Sequence, residues 1–194
     1  MTAATAALAL AGGACGTLPG APSRPVAAGH LAAVHDPGQV TWLQLPAACH
    51  ARAGGRLPDP ACTPGSVDPG VTQSSIGSTI CRRGYTSSVR PPASQTGTVK
   101  RVMYRLYGIP RGIPAELDHL VPIELGGSNA VTNLWPENYR GFLNADDKDR
   151  LENYLHDAVC SGRMPLQTAQ EAIATDWVKA YCAARLGECP AGLQ

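Results

Sequence analysis

Six cysteines, Cys49, Cys62, Cys81, Cys160, Cys182 and Cys189, constrain this chain more than any other feature. An even set in an exported chain reads as a disulfide framework. None of the six is spaced Cys-x-x-Cys, which argues against a zinc knuckle. Spacing does not choose the connectivity. The preferred arrangement pairs the neighbours Cys49–Cys62 and Cys182–Cys189 and leaves a long-range Cys81–Cys160 link. A seventh cysteine, Cys15, closes the stretch "MTAATAALALAGGACG", whose apolar core and small-residue end resemble a secretory signal without its basic leader. Two readings stay open there: cleavage nearby, or a lipid anchor on Cys15, with Gly12 standing where a lipobox has Leu. No later stretch approaches the ~18–20 apolar residues of a membrane span. A secreted or cell-envelope protein is expected.

The chain has 194 residues, enough for one domain with a core. Its 17 prolines and 21 glycines concentrate in the first half. Residues 1–20 therefore read as signal, 21–60 as an Ala/Gly/Pro-rich linker and 61–194 as the folded domain. Within the linker, "VTWLQL" (40–45) suggests a short strand. "GYTSSVRPP" suggests another, stopped by Pro91 and Pro92. "GTVKRVMYRLYG" carries Val99, Val102, Met103 and Leu106 at helical spacing. "LDHLVPIEL" reads as a strand, "GGSNAVT" as a loop, "NLWPE" as a returning strand and "NADDKDRLENYLHDAV" as a helix. A last helix opens on Pro165 and runs to Gly187, burying Leu166, Ala169, Ile173 and Trp177.

A net charge of +1 does not select a partner, but its distribution is uneven. Arg82, Arg83, Arg90, Lys100, Arg101, Arg105 and Arg111 follow one another with no acid among them. That segment is either a solvated basic face or a phosphate-binding surface.

The stretch "DHLVP…GGSN…NLW" followed by a helix resembles the HNH, or His-Me finger, endonucleases across roughly Leu117 to Leu155. The resemblance implies an α+β fold: a small ββα-metal core with flanking helices, here braced by disulfides. It implies a phosphodiester hydrolase acting on DNA or RNA with a divalent metal. His119 then corresponds to the general base, Asp118 to a metal ligand and Asn133 to the residue that orients the loop and the imidazole. The helix ligand, usually His or Asn, falls on Asn144, with Lys148 one turn along placed to neutralise the phosphate. Oxygen ligands plus His suit Mg²⁺, with Mn²⁺ or Zn²⁺ as alternatives.

The chemistry matches those residue types. Hydrolysis needs a water relieved of a proton, and imidazole takes protons near neutral pH. Simpler readings stand beside these. Asp118–His119 can be a buried ion pair. Asn144 before Ala-Asp-Asp is a good N-cap, and Lys148 is spaced to pair with Glu152. Glu124 is either a second acid ligand or solvated, and His156 falls off the inward face. The second functional reading is a non-catalytic, exported cell-envelope binding domain on the same scaffold.

Overall fold

The computed structural model describes residues 31–191. Their order is β1 (Ala32–Ala33), β2 (Ser66–Val67), α1 (Tyr85–Val89), α2 (Ala93–Leu106), β3 (Ala115–His119), β4 (Leu134–Asn138), α3 (Ala145–Cys160) and α4 (Leu166–Ala183), with short 3₁₀ turns between. The class is α+β, with two small two-stranded sheets. β1 and β2 pair in parallel; β3 and β4 form an antiparallel ladder running from Ala115↔Asn138 to His119↔Leu134.

Local sequence accounts for the helices. In α3, the Asn144 side chain accepts from Asp146 N at 2.9 Å, and Asp147 reaches back to Asn144 N at 3.1 Å. This capping box places two acids at the positive end of the helix. Leu151, Leu155 and Val159 turn inward and share one core with Leu166, Ala169, Ile173 and Trp177 of α4. α4 breaks at Asp176, where the backbone is extended and the Asp176 carboxylate accepts from Lys179 N at 3.0 Å, capping the second segment. α2 buries Val99 and Met103, four residues apart, against Val131 and Leu134 in a second, smaller core.

The three disulfides join Cys49–Cys62, Cys81–Cys160 and Cys182–Cys189, the preferred arrangement. They fit an oxidising, extracytoplasmic environment. Among the described residues no helix is long and apolar enough to cross a membrane. The signal segment and Cys15 lie outside the described residues.

Five local expectations need correction. Residues 31–60 are not a free linker: Val34 N bonds Val67 O, Asn129 N bonds the buried Asp36 carboxylate, and Cys49 is bridged to Cys62. "VTWLQL" forms no strand; Thr41 O accepts one bond from Val131 N. "GYTSSV" is helix α1, because burying Tyr85 and bonding Ser88 N to Gly84 O outweigh the β preference of Thr86 and Val89. The strand expected over 117–125 ends at His119. Beyond it, Pro122 O accepts from both Leu125 N and Gly127 N at 2.9 Å, rolling the chain into a 3₁₀ turn. The last helix also stops earlier than Gly187, at Ala183.

Candidate functional site

The turn after β3 explains the double glycine. Gly126 adopts φ +77°, open to glycine at no steric cost, and a Cβ on Gly127 would collide with the Val121 carbonyl oxygen. The tight return is held from inside by Asn133, which is fully buried. Its Oδ1 accepts from Val121 N (3.0 Å) and Ser66 N (3.3 Å), and its Nδ2 donates to Val121 O and Ser128 O, both at 2.9 Å. Asn133 thus organises the loop as expected, but among these bonds none goes to the imidazole.

That task falls to Asn129. His119 is 6% exposed, and its Nε2 lies 3.0 Å from Asn129 Oδ1. Asn129 Nδ2 donates to Asp36 O (2.9 Å) and Val89 O (3.0 Å), so its oxygen must face the ring. His119 Nε2 therefore carries the proton and donates it, and Nδ1 is left as the basic nitrogen, with no hydrogen bond among the described residues. Burial pushes the His119 pKa down to about 4, so the ring is neutral at pH 7 and able to accept a proton.

Asp118 and His119 line one small cleft of about 50 Å³, together with Thr86 and Arg90 beside α1, Pro122, Ile123 and Glu124 of the turn, and Glu152 of α3. The ladder ends at His119, so the strict alternation that would separate the two side chains ends there too. Beneath the cleft lies Lys148, fully buried. Its Nζ donates to Asp118 Oδ2 at 2.5 Å, to His119 O at 2.8 Å and to Glu152 Oε1, with Glu137 Oε2 at 3.7 Å. Burial opposes the charge on Lys148, but Asp118, Glu152 and Glu137 more than offset it and raise its pKa well above the usual value. Burial also opposes ionisation of Asp118, yet Lys148 holds that carboxyl below its ordinary range.

One ammonium does not satisfy so many acids. Burial pushes Glu152 up to about 8, Glu137 well above the carboxylate range, and Glu124 upward as well. Glu124 Oε1 is buried without a hydrogen-bond partner. The cleft therefore combines acids that burial holds toward the protonated form, a buried Glu124 oxygen without a partner and a neutral imidazole. Oxygen donors of this kind are the type a hard divalent cation takes, but among the described residues no three of these acids and the imidazole bring ligand atoms within 4.8 Å of one another.

The expected site residues divide accordingly. Asp118 and His119 come together in the cleft, and Asn133 sits behind it. Asn144 is elsewhere in role: its Oδ1 caps α3, and its Nδ2 donates to Gly141 O at 3.0 Å and Tyr139 O at 3.3 Å. Every polar atom of its side chain is thereby occupied, and it does not line the cleft. Lys148 likewise faces internal carboxylates instead of solvent, which corrects its expected placement toward phosphate. Glu152 of α3 and Glu124 of the turn line the cleft instead. The four-residue step from Asn144 to Lys148 continues to Glu152, and that was the available signal. Asn129, in "GGSN", carried none beyond its loop position.

Comparison with protein-family models, with curated proteins and with solved structures gives no match.

Proposed function

We propose that this protein is an exported, divalent-metal-dependent endonuclease of the HNH type, hydrolysing phosphodiester bonds of DNA or RNA. One observation carries the reading: a neutral imidazole of fixed tautomer lines the same cleft as the acidic side chains Asp118, Glu124 and Glu152. Asp118, Glu152 and Glu124 line this cleft and would hold the cation once drawn together around it, Mg²⁺ being favoured by the oxygen donors over Mn²⁺ or Zn²⁺. When bound, such a cation supplies Lewis-acid stabilisation of charge on the phosphate and leaving oxygen.

The chain's own residues supply the rest. His119 Nδ1 removes a proton from the attacking water, while Nε2–H stays on Asn129 Oδ1, which stabilises the imidazolium as it forms. Arg90, exposed at the rim, holds a phosphate oxygen in a charge-assisted bond. Lys148 keeps Asp118 ionised and ties α3 to the end of β3.

The alternative, a non-catalytic cell-envelope binding domain, draws on the same Lys148: a cluster holding its own cation is also a structural brace. Nicking of supercoiled plasmid separates the readings. The nuclease reading expects cleavage with Mg²⁺, none with a chelator, and a loss of about 10²–10⁴-fold in His119→Ala with its melting temperature nearly unchanged. A wild type that cuts neither DNA nor RNA with Mg²⁺, Mn²⁺ or Zn²⁺ leaves the binding-domain reading.

A further inference from the structure

On the far end of α3, away from Asp118 and Lys148, three soft ligand atoms converge. Cys81 Sγ, Cys160 Sγ and a His156 ring nitrogen lie within 4.8 Å of one another. His156 and Cys160 are four residues apart on α3 and share a face. Cys81 comes from the loop before α1, placed by its own backbone bond to Ile76 O. In the oxidised protein the two sulfurs are bonded to each other, and His156 Nε2 stands 3.4 Å from Cys160 Sγ. His156, expected at the surface, is half-buried and directed inward, with Nε2 donating to Ile80 O at 3.0 Å.

We propose that reduction of the Cys81–Cys160 disulfide converts this cluster into a Cys₂His site for a thiophilic divalent cation, zinc being the reference ion. The geometry is close to what such an ion requires. Tetrahedral bonds of ~2.3 Å to sulfur and ~2.0 Å to nitrogen set the S···N edge at about 3.6 Å and the S···S edge at about 3.8 Å. The Cys160–His156 edge is already near that value, so the adjustments are separation of the two sulfurs once their bond is broken and release of Nε2 from Ile80 O. Thiolate and imidazole are also the donor types that zinc selects.

The proton and electron balance closes. Two electrons and two protons from a dithiol or phosphine reductant convert the disulfide into two thiols. Both thiol protons are released as the thiolates coordinate. His156 gives up its Nε2–H bond to Ile80 O, turns Nε2 toward the sulfurs and carries its proton on Nδ1 toward solvent. All three ligand residues are partly exposed, leaving room for a water as the fourth ligand. The same two segments, the loop before α1 and the end of α3, are then tied together in either redox state: by a covalent bond when oxidised and by a cation when reduced.

The full chain, reduced with a phosphine under anaerobic conditions, is titrated with zinc against a chromophoric chelator, beside the oxidised chain. The reduced wild type should take up one more zinc per chain than the oxidised protein. With cobalt in place of zinc it should show a thiolate-to-metal charge-transfer band. Cys81→Ser/Cys160→Ser should lose the additional uptake, and His156→Ala should weaken it at least tenfold. Circular dichroism is recorded in parallel. Should the reduced chain lose helix without metal, zinc must restore it in the wild type and fail to do so in His156→Ala. Equal zinc uptake by reduced wild type, His156→Ala and the double serine variant overturns the site, as does no gain over the oxidised chain. None of these readouts depends on nuclease activity.

Discussion

His119 Nε2 and Asn129 Oδ1 meet at 3.0 Å, and the amide of Asn129 is held by the carbonyls of Asp36 and Val89. A side chain with no freedom to flip thereby decides which imidazole nitrogen is basic. The contact joins three distant parts of the chain, since Asp36 belongs to the N-terminal segment and Val89 to α1. Asn129→Ala should lower the cleavage rate by about tenfold or more, within the ~10²–10⁴-fold limit set by loss of the base itself. Asn129→Asp is the sharper variant. A carboxylate on Nε2–H favours the imidazolium, so the acid limb of the pH–rate profile should move to higher pH. A profile unmoved in Asn129→Asp, in a variant that still cuts, would remove Asn129 from this role.

Lys148 should behave as an internal counter-ion. Lys148→Met removes the only ammonium among Asp118, Glu137 and Glu152 and leaves buried acids unpaired. The expected cost is about 3–5 kcal/mol in urea denaturation. A variant of wild-type stability that had lost only its cleavage rate would instead place Lys148 against the substrate.

Two groups give stability an opposed pH dependence. His119 has its pKa lowered from 6.5 to about 4 on folding, so the unfolded chain binds the extra proton between those values, and stability falls as pH drops through that window. Glu152 is raised from 4.5 to about 8, so the folded chain holds the extra proton, and stability falls as pH rises through that range. Glu152→Gln should flatten the alkaline decline in melting temperature. If Glu152 binds a cation, Mg²⁺ should raise the wild-type melting temperature more at pH near 8 than near 6, and should do little for the variant. An equal Mg²⁺ effect in both proteins would exclude Glu152 as a ligand.

The basic segment is split by the fold. Arg90 lines the cleft, whereas Lys100 donates to Ala115 O at 3.3 Å and lies 5.2 Å from the Tyr104 ring centre. Arg90→Ala should reduce the salt slope of duplex binding by about one unit, as for one lost phosphate contact. Lys100→Ala should change it less. Equal slopes for wild type and Arg90→Ala, measured between low and moderate salt, would mark Arg90 as a solvated rim charge.

Much of this protein is legible in local sequence. The Asn144–Asp147 capping box, the inward stripe Leu151–Leu155, the Gly126–Gly127 turn and the even cysteine set each follow from interactions within a few residues, or from a parity rule. The Asp118–His119 pair was visible for the same reason, as was the brace built on Asn133. What sequence spacing left undecided depends on atoms far apart in the chain. Asn144 can cap a helix or hold a metal, and its neighbours Tyr139 and Gly141 settle it as a cap by taking its amide. Lys148 has the spacing of a surface pair with Glu152, but the packing of α3 against α4 and the turn after β3 buries it among three acids. Tyr85 to Val89 has strand-forming residues, yet it becomes helix α1 because Tyr85 fills a place in the core. Asn129 gains its partner only when residue 36 arrives from the N-terminal segment. Short-range bonding sets each element; which side chains share a desolvated space is set by the long-range packing that closes the core.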